Sequence, residues 1–189
     1  MLPWEHAAVG YLLYSLLVHF GWQRRPSGLP VIVLGIATVL PDLIDKPLGW
    51  WLGWLPSIGL GHSLFFAVPA VLLVWALAGG RYALPLGVGL GTHLLGDVFY
   101  KAVVAGRFEY EFMFWPLVDQ PASEPAGLFS QIEYWIAEYA RFLASPEGMT
   151  YLGFELALLG AALVVWIYDG FPGLAPGSFR RGPRTTGDY

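Results

Sequence analysis

Apolar positions along this chain gather in five long runs separated by polar or Gly/Pro-rich breaks. The runs extend from Pro3 to Trp22, Leu29 to Lys46, His62 to Gly79, Ala83 to Lys101 and Tyr151 to Tyr168. Each comes close to the roughly 20 mostly apolar residues that a helix needs to cross a bilayer. The pattern predicts an all-α fold, a polytopic helical membrane protein with about five transmembrane helices. Several runs are short or interrupted, so four or six spans are the alternatives. No internal repeat is visible.

The long segment from Ala102 to Thr150 has a different pattern. Ser130 and Glu133 have the S-x-x-E spacing of a capping box. Beyond them, Ile132, Trp135, Ile136, Tyr139, Phe142 and Leu143 recur at helical spacing. This predicts an amphipathic helix lying at the membrane surface, or packed on the bundle. Trp50, Trp51 and Trp54, between the second and third runs, suit headgroup depth. Residues 1–170 read as a single helical membrane domain. Residues 171–189, rich in Gly, Pro, Arg and Thr, read as a disordered cytoplasmic tail. The first run carries Glu5 and His6 where a signal peptide would be basic, so it reads as retained.

Composition supports the membrane assignment. Hydrophobic residues make up 56% of the 189 positions, and mean hydropathy is +0.56. Charged residues make up only 13%, against about 25% in ordinary soluble domains. The absence of cysteine excludes disulfides and thiolate-ligated metals. Acids outnumber bases 14 to 10, which does not suit a nucleic-acid binder. The only lysines are Lys46 and Lys101, a scarcity that fits a salt-adapted organism.

The basic residues also orient the chain. With the N-terminus outside, Arg24, Arg25, Arg81, Arg180, Arg181 and Arg184 face the cytoplasm, as the positive-inside rule prefers. Lys46, Lys101, Arg107 and Arg141 then lie outside, among Glu109, Glu111, Asp119, Glu124, Glu133 and Glu138. This predicts a multi-pass protein of the cell membrane.

Ionisable side chains inside a membrane are costly, about 2.5–3.5 kcal/mol each on insertion scales, and usually have partners. Here they are His6, Asp42, Asp45, His62, His93 and Asp97. Asp42 follows Pro41, and Asp45 shares its helical face one turn on. His93 and Asp97 stand four apart on another apolar helix, a spacing that lets two side chains grip one ion. Alternating inward and outward spans bring all six to one level, on the outer face in the preferred orientation. Imidazole with carboxylate suits zinc and similar divalent ions. Such an ion lowers the pKa of bound water to about 7, and a spare acid such as Asp45 could serve as general base. Ser63 beside His62 lacks the context of a nucleophile elbow. Gly87, Gly89 and Gly91 read as helix-packing glycines.

These residues carry a resemblance. Glu5-His6 with the following AAVG, PDLIDKPL from Pro41 to Leu48, GHSL from Gly61, THLLGD from Thr92 and FWPL from Phe114 occur in one order. The chain thereby resembles the YdjM-type family of membrane-bound, metal-dependent hydrolases, with DKPL resembling its haloarchaeal branch. The resemblance implies a helical fold distantly similar to zinc-dependent phospholipase C and P1 nuclease. It implies His6, Asp42, His62, His93 and Asp97 as metal ligands or their neighbours, and Asp45 as a positioning or catalytic acid.

The expected function is hydrolysis of a phosphoester or lipid, with membrane lipids and a small-molecule or lipid substrate as partners. Two alternatives stand beside it. One is a non-catalytic structural metal site or an ion or proton path, which only His19 and Glu155 could continue across the membrane. The other is a phosphohistidine-type lipid phosphatase, for which the expected Ser-Arg before His93 is missing.

Overall fold

The computed structural model describes residues 1–121 and 127–174. Glu124 and the tail beyond 174 lie outside the described residues. Among the described residues the fold is all-helical, with no strand. Seven α-helices follow one another: α1 (Pro3–Trp22), α2 (Gly28–Ala37), α3 (Leu40–Lys46), α4 (Leu64–Ala78), α5 (Gly80–Ala105), α6 (Leu128–Leu143) and α7 (Pro146–Tyr168). A π-helical turn, Pro47–Trp51, extends α3, and a 3-10 turn, Glu111–Phe114, precedes α6.

Helix α5 is the central element, packed against α1, α2 and α4. Close approach there needs small residues. A Cβ at Gly89 would lie 2.5 Å from the Ala37 Cβ and 3.0 Å from the Leu34 carbonyl oxygen. Gly87 faces Val71 at ordinary contact distance, whereas Gly91 faces open space and is not a packing glycine. Leu86, Leu90, Leu94 and Val98 of α5 form one core with Ala37, Ala67 and Phe112. Tyr11, Tyr14 and Val18 of α1 form a second core with Leu34.

The second apolar run folds as two helices. Pro41 has no N–H to donate, so the α-helical ladder cannot continue through it unbroken. Helix α2 stops at Ala37, and Thr38 closes the break by bonding its hydroxyl to the Gly35 carbonyl at 2.8 Å.

The start of α6 corrects one expectation. Its N-cap is Gly127, at φ +79°, and Gln131 N–H closes the first turn on the Gly127 carbonyl. Ser130 is therefore inside the helix and does not cap it. Glycine takes the left-handed φ without steric cost, and that fixes the start earlier in the chain. The amphipathic stripe does form. Its C-terminal half packs on α7, while Ile132, Trp135 and Ile136 stay exposed.

Two helical stretches, Gly28–Trp51 and Pro146–Tyr168, are long and apolar enough to cross a membrane, and α4 is a shorter apolar helix. Helices α1 and α5 are long, at 20 and 26 residues. Glu5, His6 and His19 in α1, and Arg81, His93 and Asp97 in α5, dilute their apolar runs. The polarity of the molecule is inverted relative to a soluble bundle. Leu16, Phe20, Leu73, Trp75, Leu77 and Phe154 are exposed, while Glu5, His6, Asp45, His62, His93 and Glu155 are buried.

Candidate metal centre

Four parts of the fold converge at one end of the bundle. Helix α1 supplies His6 from its first turns, and α3 supplies Asp42 and Asp45 just past the break. The loop before α4 supplies His62, and α5 supplies His93 and Asp97. All six residues predicted for the site are brought together. His6, His93 and Asp97 offer donor atoms within 4.8 Å of one another, as do Asp42, His62 and His93.

Asp45 organises the loop. Its carboxylate is fully buried and accepts from the Gly59 N–H (2.7 Å), the Gly61 N–H (2.7 Å) and the His62 N–H (3.2 Å). It also accepts from Nδ1 of His62 at 2.7 Å. The loop can close this tightly because Gly61 lies on Pro41, where a Cβ would approach the backbone to 2.7 Å. Ser63 N-caps α4 by accepting from the Phe65 N–H at 3.0 Å, and its hydroxyl donates to the Trp115 carbonyl. Both contacts give it a structural task. The Trp115 contact ties the FWPL segment to the site loop, and the Phe112 ring lies edge-on to His62 with centroids 6.0 Å apart.

The hydrogen bonds fix both ring tautomers. A carbonyl oxygen only accepts, so the 2.8 Å contact between His93 Nδ1 and the Thr38 carbonyl places the proton on Nδ1. The Asp45 carboxylate does the same for His62 Nδ1. In the neutral rings the two Nε2 atoms are then bare acceptors, and they face each other at 3.1 Å. Asp42 Oδ1 lies 3.5 Å from His62 Nε2 and 3.9 Å from His93 Nε2. Asp97 Oδ2 lies 3.5 Å and 3.6 Å from the same two atoms. Four acceptors thus surround one point, an arrangement that is repulsive without a cation or a proton at its centre.

His6 adds a fifth donor. Its ring stacks on His93 with centroids 3.9 Å apart, and Nε2 lies 3.3 Å from Asp97 Oδ1. Neither of its buried ring nitrogens has a hydrogen-bond partner. An orphaned buried imidazole is costly unless something coordinates it. Lys46 Nζ holds the other oxygen of Asp42 at 2.6 Å and lies over the Trp50 ring. The α-amino group donates to Asp97 Oδ1 at 2.9 Å.

Glu5 and Glu155, beside the cluster, were not predicted as a pair. Glu5 accepts from the Leu2 N–H and from the Tyr151 hydroxyl. Glu155 accepts from Trp4 Nε1 and from the Tyr139 hydroxyl. Together they lock α1, α6 and α7 around the site. Burial and the bond to Glu155 push the Tyr139 hydroxyl above its ordinary pKa. Glu155 therefore belongs to the site end and does not continue a path across the bundle. The sequence signals for this lock are the Glu5-His6 motif and an acid, Glu155, within an otherwise apolar helix.

The fold and this cluster define a class: an all-helical membrane protein with a buried His/Asp centre at one end. The chain matches the family described as YdjM inner membrane protein over residues 1–171, and it belongs to that family. Comparison with curated proteins and with solved structures found no match.

Proposed function

We propose that the cluster holds a divalent metal ion, zinc by its donor set, and that the protein is a metal-dependent hydrolase of phosphoester or lipid substrates. The observation that carries the metal is the pair of bare imidazole nitrogens, oriented from behind and facing two carboxylates. His6, Asp42, His62, His93 and Asp97 would hold the ion. His93 has only Nε2 free, so the two overlapping donor groups share one nitrogen and favour one principal metal position. A bound divalent ion supplies Lewis acidity and makes hydroxide available near neutral pH.

The chain's own residues do the positioning. Asp45 and the Thr38 carbonyl fix the His62 and His93 rings, as outer partners of metal-binding histidines do. Asp45 spends both oxygens on four hydrogen bonds, so we assign it this positioning role and not that of general base. The side chains of Asp42 and Asp97 are 12% and 15% exposed, against 1% or less for His62 and His93, so substrate and water enter on the carboxylate side. The substrate class rests on the resemblance to zinc-dependent phospholipase C and P1 nuclease, and on a site near headgroup depth. Five spans with the site on the outer face complete this reading, supported by the positions of Arg24, Arg25 and Arg81.

The burial of all three histidines favours a second reading, a structural metal that ties four elements together without catalysis. The phosphatase alternative has less support. Arg107 and Arg141 pair with Glu109 and Glu138, and Arg81 lies over Tyr82.

Metal analysis of the purified protein decides between these. We expect about one divalent ion per chain, lost in His93→Ala and Asp97→Ala. A metal-free wild type whose two variants behave identically overturns the metal centre. A loaded protein inert toward a panel of phospholipids and phosphodiesters favours the structural reading.

A further inference from the structure

We propose that the opposite end of the bundle carries a second site, a groove between α1 and α7 that binds one anionic phospholipid. The groove has a volume of about 620 Å³. Leu13, Leu16 and Phe20 of α1 line it against Leu158 and Val165 of α7. Leu16 and Phe20 are 53% and 81% exposed, so it opens sideways on the face that a membrane protein turns to lipid. From Val9 to Phe20 it runs about 16 Å at the α-helical rise. That is close to half of a roughly 30 Å hydrocarbon core, the depth of one acyl chain in one leaflet.

One end of the groove is polar and cationic. His19 and Tyr168 line that end, with ring centroids 6.0 Å apart. The Arg25 guanidinium sits 5.0 Å above the Tyr168 ring. Arg24 stands beside it in the chain, and no described carboxylate pairs with either. At the same end the Asp169 carboxylate, next to Tyr168 in the chain, takes the Tyr11 and Ser15 hydroxyls at 2.6 and 2.7 Å. His19 Nε2 lies 3.3 Å from Asp169 Oδ1. Neither of these two buried atoms has a full hydrogen bond. Selectivity for an anion comes from Arg24 and Arg25, while the Asp169 carboxylate is held by Tyr11, Ser15 and His19. An acyl chain in the groove and a phosphate on Arg25 satisfy both ends with one molecule, and an arginine matches phosphate geometry. The site is independent of the metal centre, which lies at the other end of α1.

The test is native mass spectrometry of the full chain, incubated with phosphatidylglycerol or phosphatidylcholine of identical acyl composition. Wild type should retain one phosphatidylglycerol per chain, with a preference over phosphatidylcholine of about tenfold. Arg25→Gln should erase the preference and keep acyl binding. Leu16→Trp should fill the groove and lose both lipids. Both positions are exposed, so both variants should melt like wild type. Equal retention of the two lipids by wild type overturns the headgroup site. Retention by Leu16→Trp at the wild-type level overturns the groove. A Leu16→Trp change from dimer to monomer mass, with lipid unchanged, gives the groove to a second copy and also overturns the proposal.

Discussion

Asp45 shows how far a single residue's role depends on contacts that sequence does not record. Its spacing from Asp42 marks it as part of the site, and that much is legible. Its four hydrogen bonds come from a loop 14 to 17 residues away, and three of them are backbone N–H groups with no side-chain signature. The same holds for the Thr38 carbonyl that orients His93. Asp45→Asn keeps the shape and loses the charge that holds Nδ1–H of His62. We expect metal affinity to fall about 10–100-fold, the usual cost of losing an outer partner of a ligand histidine. A competition titration against a chromophoric chelator measures it, and unchanged affinity would remove Asp45 from the positioning role. Gly61 offers a test of the loop itself. Gly61→Ala drives a methyl group against the Pro41 backbone, and overpacking of this kind costs about 1–3 kcal/mol. Gly91→Ala, facing open space, is the control that should leave thermal melting unchanged.

Among the elements, the long runs were readable because burial and lipid contact both favour continuous apolar sequence. What the runs hid was their interruption. The second run becomes α2 and α3 because Pro41 removes a donor, and the π turn after Lys46 follows another proline. The break matters to the site. It brings Asp42 near His93 of α5, sets Asp45 against the loop before α4, and frees the Thr38 carbonyl for His93. Helix α6 was legible as an amphipathic stripe but not in its start, since Gly127 can adopt a φ that the capping-box pattern does not anticipate. Its anchor is the Tyr139 hydroxyl on Glu155. Tyr139→Phe removes that bond and leaves a buried carboxylate oxygen short of a donor, at a cost of about 1–3 kcal/mol. Hydrogen exchange should then show faster opening of α6, with α2 and α5 unaffected. Equal protection in both proteins would mean that the apolar stripe alone docks the helix.

At the scale of the whole molecule, the inverted polarity sets what the candidate metal centre must do. A lipid-facing exterior gives α1, α3, α4 and α5 no hydrophobic reason to prefer one another over lipid. Packing and polar contacts must specify their arrangement, and the densest set of polar contacts is the His/Asp cluster. Empty, that cluster opposes two bare nitrogens and two carboxylates across a few ångströms. Filled, the same atoms attract a common centre, so binding energy becomes folding energy. A ligand at one hundred times its dissociation constant stabilises the native state by about 2.7 kcal/mol. Chelation should therefore lower the melting temperature of the wild type, and stoichiometric zinc should restore it. Asp97→Ala and His93→Ala should melt at one temperature with or without chelator. Acid should mimic chelation, because protons compete with the metal for the same imidazole nitrogens and carboxylates. If chelation leaves melting unchanged while activity is lost, the centre is catalytic and the helices are held by packing alone. If melting falls in the variants as it does in wild type, the stabilising ion sits elsewhere.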